Sequence, residues 1–384
     1  MTTSTATPYW RLSGFYLFYF ASLGILVPYW PLYLESLNFG PREIGELMAV
    51  VMATKIIAPN IWGWIADHTG QRMLIVRSGS LLACLFFAGV FWSSSYLWMA
   101  LVMAVFSFFW NATLPQFEAT TFNYLHDETH RYSSVRLWGS IGFVVAALVI
   151  GYLLESSAAS IVPIAMLVMF VLIWLTSLIV PERSAGHLPL DENSILTVIK
   201  RPEVASLIVV VFLMQLSHGP YYTFYSIYLE EHGYSKSVIG ILWALGVIAE
   251  VGVFLVMHRL IPRFGLRSML MFSLFIASLR WLLLGSFVES FSMMLLIQLG
   301  HAATFGIFHA VAIQYFHHYF RGRHQGRGQA LYSSMSFGAG GAIGALMSGY
   351  TWELGPTTTF VIAAMTSSLA LLITLMFVRD QPPE

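Results

Sequence analysis

Six ionisable side chains stand inside long apolar runs, where their presence asks for a chemical reason: Lys55, Glu118, Arg136, Glu250, Arg280 and His301. A charge within the hydrocarbon part of a membrane helix costs at least ~2.5 kcal/mol on the most lenient scale, so such residues face a cavity, a partner or a substrate. Glu118 and Arg136, eighteen residues apart across a polar hairpin, can bind a carboxylate or hydroxyls through charged hydrogen bonds. Glu250 and His301 are the groups suited to moving a proton. Burial disfavours a charged carboxylate, a nearby cation favours it, and small changes carry histidine through neutral pH. His309 is a further histidine of this kind. Each charge also has a structural reading: Glu118 as an ion pair joining two helices, Arg136 as an interfacial anchor, Glu250 as a pair with Lys55 or Arg136. No phosphate-binding glycine loop and no nucleophile elbow accompanies them, so ATP coupling and hydrolysis are unsupported and no enzyme is expected.

The elements that must position these groups are set by composition. Of 384 residues 57% are hydrophobic and 10% charged, and mean hydropathy is +0.72, whereas a soluble domain carries roughly 25% charged residues. The chain therefore reads as an all-α polytopic membrane protein whose surroundings are the lipid bilayer. A formal net charge of zero leaves no basic excess for nucleic acid. The single cysteine, Cys84, excludes an intrachain disulfide and a thiolate metal site. No metal and no cofactor are expected: the run from His317 to His324 holds three histidines, but without a ligand spacing and beside Arg321 and Arg323.

A polar tail, Met1 to Pro8, leads into a first span from Tyr9 to about Tyr33, too long for a signal-peptide core. Further runs of the ~20 apolar residues a bilayer requires follow at about 43–65, 73–92, 96–124, 134–154 and 160–180. Six more fit at about 204–230, 237–258, 267–287, 290–316, 327–350 and 356–378. None alternates with period 2, so helices rather than a barrel are expected. The organisation is an N-terminal six-helix bundle, 1–180, a linker, 181–203, and a C-terminal six-helix bundle, 204–384.

A shift of 195 residues superposes Gly24 on Gly219, Tyr33-Leu34-Glu35 on Tyr228-Leu229-Glu230, Ile44-Gly45 on Ile239-Gly240, and Gly70-Gln71-Arg72 on Gly265-Leu266-Arg267. Six spans per half make the repeats parallel, with a central cavity between them. The same shift places Lys55 on Glu250, opposite charges at matching depth. Fifteen of the nineteen Lys and Arg residues fall on one side of the spans, which by the positive-inside rule makes both termini and the linker cytoplasmic. Span eleven carries Gly338, Gly340, Gly341, Gly344 and Gly349, small residues that let helices approach closely, either to slide or to pack.

After the second span the chain reads Gly63-Trp64-Ile65-Ala66-Asp67-His68-Thr69-Gly70-Gln71-Arg72. This G-x-x-A-D-x-x-G-x-R loop resembles the signature of the major facilitator superfamily. The glycines permit a tight turn and close helix approach, while Asp67 and Arg72 can cap helix ends and form ion pairs of a cytoplasmic gate. The equivalent second loop, 258–267, lacks the acidic residue.

Within that superfamily, Glu118, Arg136 and the following Trp138-Gly139-Ser140-Ile141-Gly142-Phe143 resemble the substrate-binding region of the lactose-type oligosaccharide:proton symporters. Glu250, Arg280 and His301 also fall where that group has a glutamate, an arginine and a histidine. The departures are Phe143 in place of the sugar-stacking tryptophan, Thr304 in place of the coupling carboxylate, and Tyr222 and Tyr225 in place of paired aspartates. With His218-Gly219-Pro220-Tyr221-Tyr222, Arg136-Leu137-Trp138-Gly139-Ser140 and Gln298-Leu299-Gly300-His301, the chain is most similar to the phenylpropionate permease branch.

That resemblance implies proton-coupled uptake of a small aromatic acid across a bacterial inner membrane, working as a monomer. Arg136 is then the carboxylate site, and Phe143, Trp110, Tyr221, Tyr222 and Trp243 offer faces for a ring, unless they serve plain packing. Glu250 is the expected proton carrier, with His301 second, and Arg280 and Lys55 complete the charge network. A nucleoside or sugar symporter is the alternative substrate reading, and a membrane ligand sensor the alternative of another class.

Overall fold

The computed structural model describes residues 7–125, 128, 131–183, 196–320 and 325–379. Most of the interval 181–203, together with Arg321, Arg323 and His324, lies outside the described residues. Among the described residues there is no strand, and twelve long helices follow one another: α1 Tyr9–Ser36, α2 Pro41–Thr69, α3 Arg72–Phe87, α4 Tyr96–Leu125, α5 Tyr132–Leu153, α6 Ile161–Leu178, α7 Pro202–Glu231, α8 Lys236–Phe264, α9 Leu266–Ser286, α10 Phe291–Tyr319, α11 over 325–352 and α12 Pro356–Phe377. Eleven of them are long and apolar enough to cross a membrane. The exception, α11, is the glycine-rich helix, because glycine and serine lower its hydropathy while suiting it to close packing.

The 195-residue register is built into the helix ends. It carries Pro41–Thr69 onto Lys236–Phe264, each 29 residues long. Both helices start on a local cap: the Gly40 N–H donates to Glu43 Oε2 at 2.9 Å, and the Val238 N–H to Ser235 Oγ at 3.4 Å. Both stop at a glycine of positive φ, Gly70 at 70° and Gly265 at 75°, a conformation that side chains rarely adopt. The tight turn read from the sequence at Gly70 is thus present in both copies.

The halves meet mainly along two helix pairs, α2 with α11 and α5 with α8, with a smaller contact of α1 on α7. At the end away from the termini these pairs touch backbone to backbone. A Cβ on Gly45 would lie 2.7 Å from Gly349 Cα, and one on Gly240 2.5 Å from the Ala147 carbonyl oxygen. Side chains close the same end. Tyr350 of α11 donates to Glu46 of α2 at 2.8 Å, and Glu155, after α5, accepts the Ser237 N–H of α8 at 2.7 Å. Three helices depart from regular geometry: α7 breaks at His218, α10 is π-helical over Ala302–Ile307, and α11 over Ser334–Gly340.

Candidate functional site

In the N-terminal half, α4 and α5 bring Glu118 and Arg136 together with three rings. The Tyr132 hydroxyl donates to Glu118 Oε1 at 3.0 Å. Arg136 does not pair with Glu118 within 4.0 Å; its guanidinium lies 3.6 Å above the Phe20 ring and 5.9 Å from that of Tyr16. Room for that position comes from Gly139, where a Cβ would stand 2.6 Å from Arg136 Nη1 and 2.7 Å from Phe20 Cδ2. Among the described residues, Arg136 has no hydrogen-bond acceptor. Its cation is held by an aromatic face, and its donor fork is uncommitted.

In the C-terminal half, Arg280 is 2% exposed and fully engaged by neutral groups. Its Nε donates to the Ile297 carbonyl at 2.8 Å, Nη2 to Gln298 Oε1 at 2.9 Å, and Nη1 to Thr304 Oγ1 at 3.0 Å and to His301 Nδ1 at 3.3 Å. Tyr221 lies beneath the guanidinium at 4.3 Å and donates its hydroxyl to Gln298 at 3.1 Å. Arginine has only donors, so His301 Nδ1 must be the bare acceptor and Nε2 carries the hydrogen. That Nε2 faces Glu250 Oε2 at 3.8 Å, the Glu250 side chain being 17% exposed. The chain Arg280, His301, Glu250 therefore runs from the packed interior of α9 and α10 to a partly open carboxylate on α8.

The two clusters face each other. Arg136 stands on α5 and Glu250 on α8, two helices that pack against each other across the halves. Lys55, half-buried on α2, has no ion pair or hydrogen bond among the described residues, so its pairing with Glu250 does not occur here. Equal depth in a repeat is not proximity. Counting formal charges with imidazoles neutral, Lys55, Arg136 and Arg280 exceed Glu118 and Glu250 by one positive charge.

The remaining residues singled out in the sequence fall into two sets. Trp110 stacks on Tyr19 at 5.2 Å within the N-terminal bundle, and Trp243 donates to Ser226 at 2.9 Å; like Tyr221 they are packed interior rings. Phe143 and Tyr222 are only half-buried. His309 Nδ1 is 2.8 Å from the Tyr332 hydroxyl. The signature loop forms a unit of the N-terminal half: Arg72 pairs with Asp67 at 2.6 Å and donates to Gln116 of α4 at 2.7 Å, and Gly63 sits beside that Gln116 side chain. Among the described residues Asp67 and Arg72 make no hydrogen bond or ion pair to the other half. Sequence reasoning missed Phe20, Tyr132, Phe305 and Phe337, and named Gln298 only within the motif that carries the family resemblance. Only Tyr132 carried a signal, standing one helical turn before Arg136 on the same face.

Two parallel six-helix repeats enclosing a charged centre define a multi-pass membrane transporter of small solutes, not an enzyme. The family model described as "MFS_1 like family" matches residues 9–362, and the chain belongs to this family of the major facilitator superfamily. It is 27% identical over 376 residues to the "Probable 3-phenylpropionic acid transporter" of Escherichia coli K12, covering 95% of this chain and 96% of that one. It is 26% identical to the maltose permease of Geobacillus stearothermophilus, over 94% and 92% of the two chains. Among solved structures, a mutant of the nucleoside transporter NupG superposes with TM-score 0.87 over 97% of this chain and 100% of that one, at 16% identity. A bacterial homologue of the lysosomal transporter Spinster, inward-facing and unoccupied, superposes with TM-score 0.71 over 98% and 99% at 14% identity.

Proposed function

We propose that this chain imports a small aromatic monocarboxylate such as 3-phenylpropionate together with a proton, by alternating access, as a monomer in a bacterial inner membrane with both termini cytoplasmic. The observation that carries this reading is Arg136: a guanidinium over Phe20 with no hydrogen-bond acceptor among the described residues, in an interior with one excess positive charge. A carboxylate fits its donor fork bidentately. The similarity over nearly the full length to a protein named for 3-phenylpropionic acid supports the same class of substrate.

Glu250 is the proton carrier in this reading. It faces His301 of its own half at 3.8 Å and stands on α8, which packs against the α5 that carries Arg136. Substrate taking Arg136 removes that cation's hold, and proton uptake by Glu250 follows. A monoanion and a proton add no net charge, so the loaded and empty interiors cross the membrane equally charged.

A second reading, a nucleoside or sugar substrate, is favoured by Glu118. Its one hydrogen bond among the described residues comes from Tyr132, so it can accept a hydroxyl. Uptake of labelled 3-phenylpropionate into proteoliposomes under an inward proton gradient tests the proposal, with a galactoside and a nucleoside run alongside. Accumulation above protein-free liposomes, lost in Arg136→Ala, supports it. Protein-dependent uptake of a competitor alone replaces the substrate, and uptake of the acid unchanged in Arg136→Ala removes the carboxylate site.

A further inference from the structure

The two π-helical stretches, Ala302–Ile307 of α10 and Ser334–Gly340 of α11, each present one phenylalanine, and the two rings meet. Phe305 and Phe337 have centroids 6.0 Å apart with planes at 49°. Phe305 is also the middle ring of a parallel ladder on α10, 5.5 Å from His301 and 5.7 Å from His309, and Phe337 reaches His309 at 5.9 Å. A π turn sacrifices regular i to i−4 bonding and is found mostly at functional sites. Here both such turns among the described residues converge on one aromatic pair, which packing alone does not require.

The placement is central. Gly306, next to Phe305, seats the α10 stretch against α8, where a Cβ would lie 3.3 Å from Glu250 Cγ and 2.6 Å from Val253 Cγ1. Gly338, next to Phe337, seats the α11 stretch against Ile56 of α2, where a Cβ would lie 2.6 Å from Ile56 Cγ1. The two stretches thus pack against Glu250 of their own half and against Lys55's neighbour in the other. Both phenylalanines keep part of their surface uncovered, unlike Trp110, Tyr221 and Trp243. Ring edges and faces of opposite partial charge favour a third aromatic ring in a tilted or edge-on contact.

We propose that Phe305 and Phe337, joined by the two π-helical stretches, form the subsite for the aromatic end of the substrate, in the half opposite the Arg136 that takes its carboxylate. The inference rests on the aromatic-acid reading above. It makes binding a bridge between the halves: the carboxylate on α5, the ring on α10 and α11.

The test compares binding of 3-phenylpropionate and 3-cyclohexylpropionate, which share the carboxylate, to the purified full-length protein, its Phe305→Leu and Phe337→Leu variants, and Arg136→Ala. Leucine keeps an apolar wall and removes the aromatic one. Each leucine variant should bind 3-phenylpropionate about fivefold more weakly, within the range of one aromatic contact, and 3-cyclohexylpropionate within about twofold of wild type. Equal weakening of both acids by both variants would show a structural role and overturn the proposal, as would unchanged binding of both. If wild type binds neither acid, or Arg136→Ala binds both normally, it is the aromatic-acid reading that falls.

Discussion

Arg280 Nη1 donates to His301 Nδ1 at 3.3 Å, and this one bond settles which imidazole nitrogen carries hydrogen. A donor-only guanidinium obliges Nδ1 to accept, so Nε2–H is aimed at Glu250. The buried cation has no carboxylate within 4.0 Å among the described residues. Where the lactose-type proteins have an acid, Thr304 supplies a neutral acceptor instead. Arg280→Met should therefore take the guanidinium from four acceptors on α10, of which Gln298 keeps the Tyr221 hydroxyl, and lower the apparent melting temperature in detergent. The expected loss is about 3 kcal/mol, the scale for emptying one side of a buried charged network; a melting temperature equal to wild type would show the network to be dispensable.

Glu250→Gln keeps the side-chain shape and cannot exchange a proton. Counterflow of labelled substrate between equal internal and external pools should persist, because it needs only loaded crossings. Accumulation against a gradient should vanish. Uphill uptake at the wild-type rate in this variant would transfer the coupling role elsewhere, His301 first.

Charge conservation between empty and loaded states gives a second check on the same mechanism. With one monoanion and one proton per cycle, uptake should follow the pH gradient and ignore membrane potential. Clamping the potential with potassium and valinomycin at fixed pH gradient should leave the protein-dependent rate unchanged. Acceleration by an inside-negative potential would mean that more than one cation accompanies each acid.

Gly139→Ala tests how Arg136 is held rather than whether it is charged. The new methyl group would sit 2.6 Å from Nη1 and 2.7 Å from Phe20 Cδ2, separations real side chains do not tolerate, so the guanidinium must leave the ring. The charge survives and the cation-to-ring contact, worth about 0.5–2 kcal/mol, does not. Binding of 3-phenylpropionate should weaken by about tenfold, with folding preserved. Wild-type affinity would show that the Phe20 platform does not orient the site.

Much of this was legible in the sequence because membrane helices announce themselves by length and apolarity, and because a charge in such a run stands out. The 195-residue register relates the ends of α2 and α8 residue for residue, although the apolar runs at about 43–65 and 237–258 fell short of the C-terminal ends of both helices by four to six residues. Side-chain partnership was harder to read. Lys55 and Glu250 share a depth but not a contact, and a tryptophan such as Trp110 has the same letter whether it lines a cavity or fills a core. Phe305 and Phe337 were invisible for a stronger reason. Their meeting depends on two π turns, and hydropathy carries no signal for an extra residue in a helical turn.

At the end away from the termini, Glu46 joins the halves. Its Oε2 accepts the Tyr96 hydroxyl at 2.5 Å within the N-terminal half, and its Oε1 accepts Tyr350 of α11 at 2.8 Å and Arg42 Nε at 3.3 Å. Arg42 in turn stacks over the Tyr350 ring at 4.3 Å. Removing the carboxylate in Glu46→Ala takes away the hydrogen bond that holds Tyr350 and leaves Arg42 over its ring and the backbone contact of Gly45 with Gly349 as the ties between α2 and α11 at this end. The population open at this end should rise. In a Cys84→Ser background, a cysteine at Ala345, buried on α11 beside Gly45, should then react faster with a maleimide by about fivefold, a shift of roughly 1 kcal/mol in the closing equilibrium. Labelling at an unchanged rate would assign the closure to the glycine contact alone.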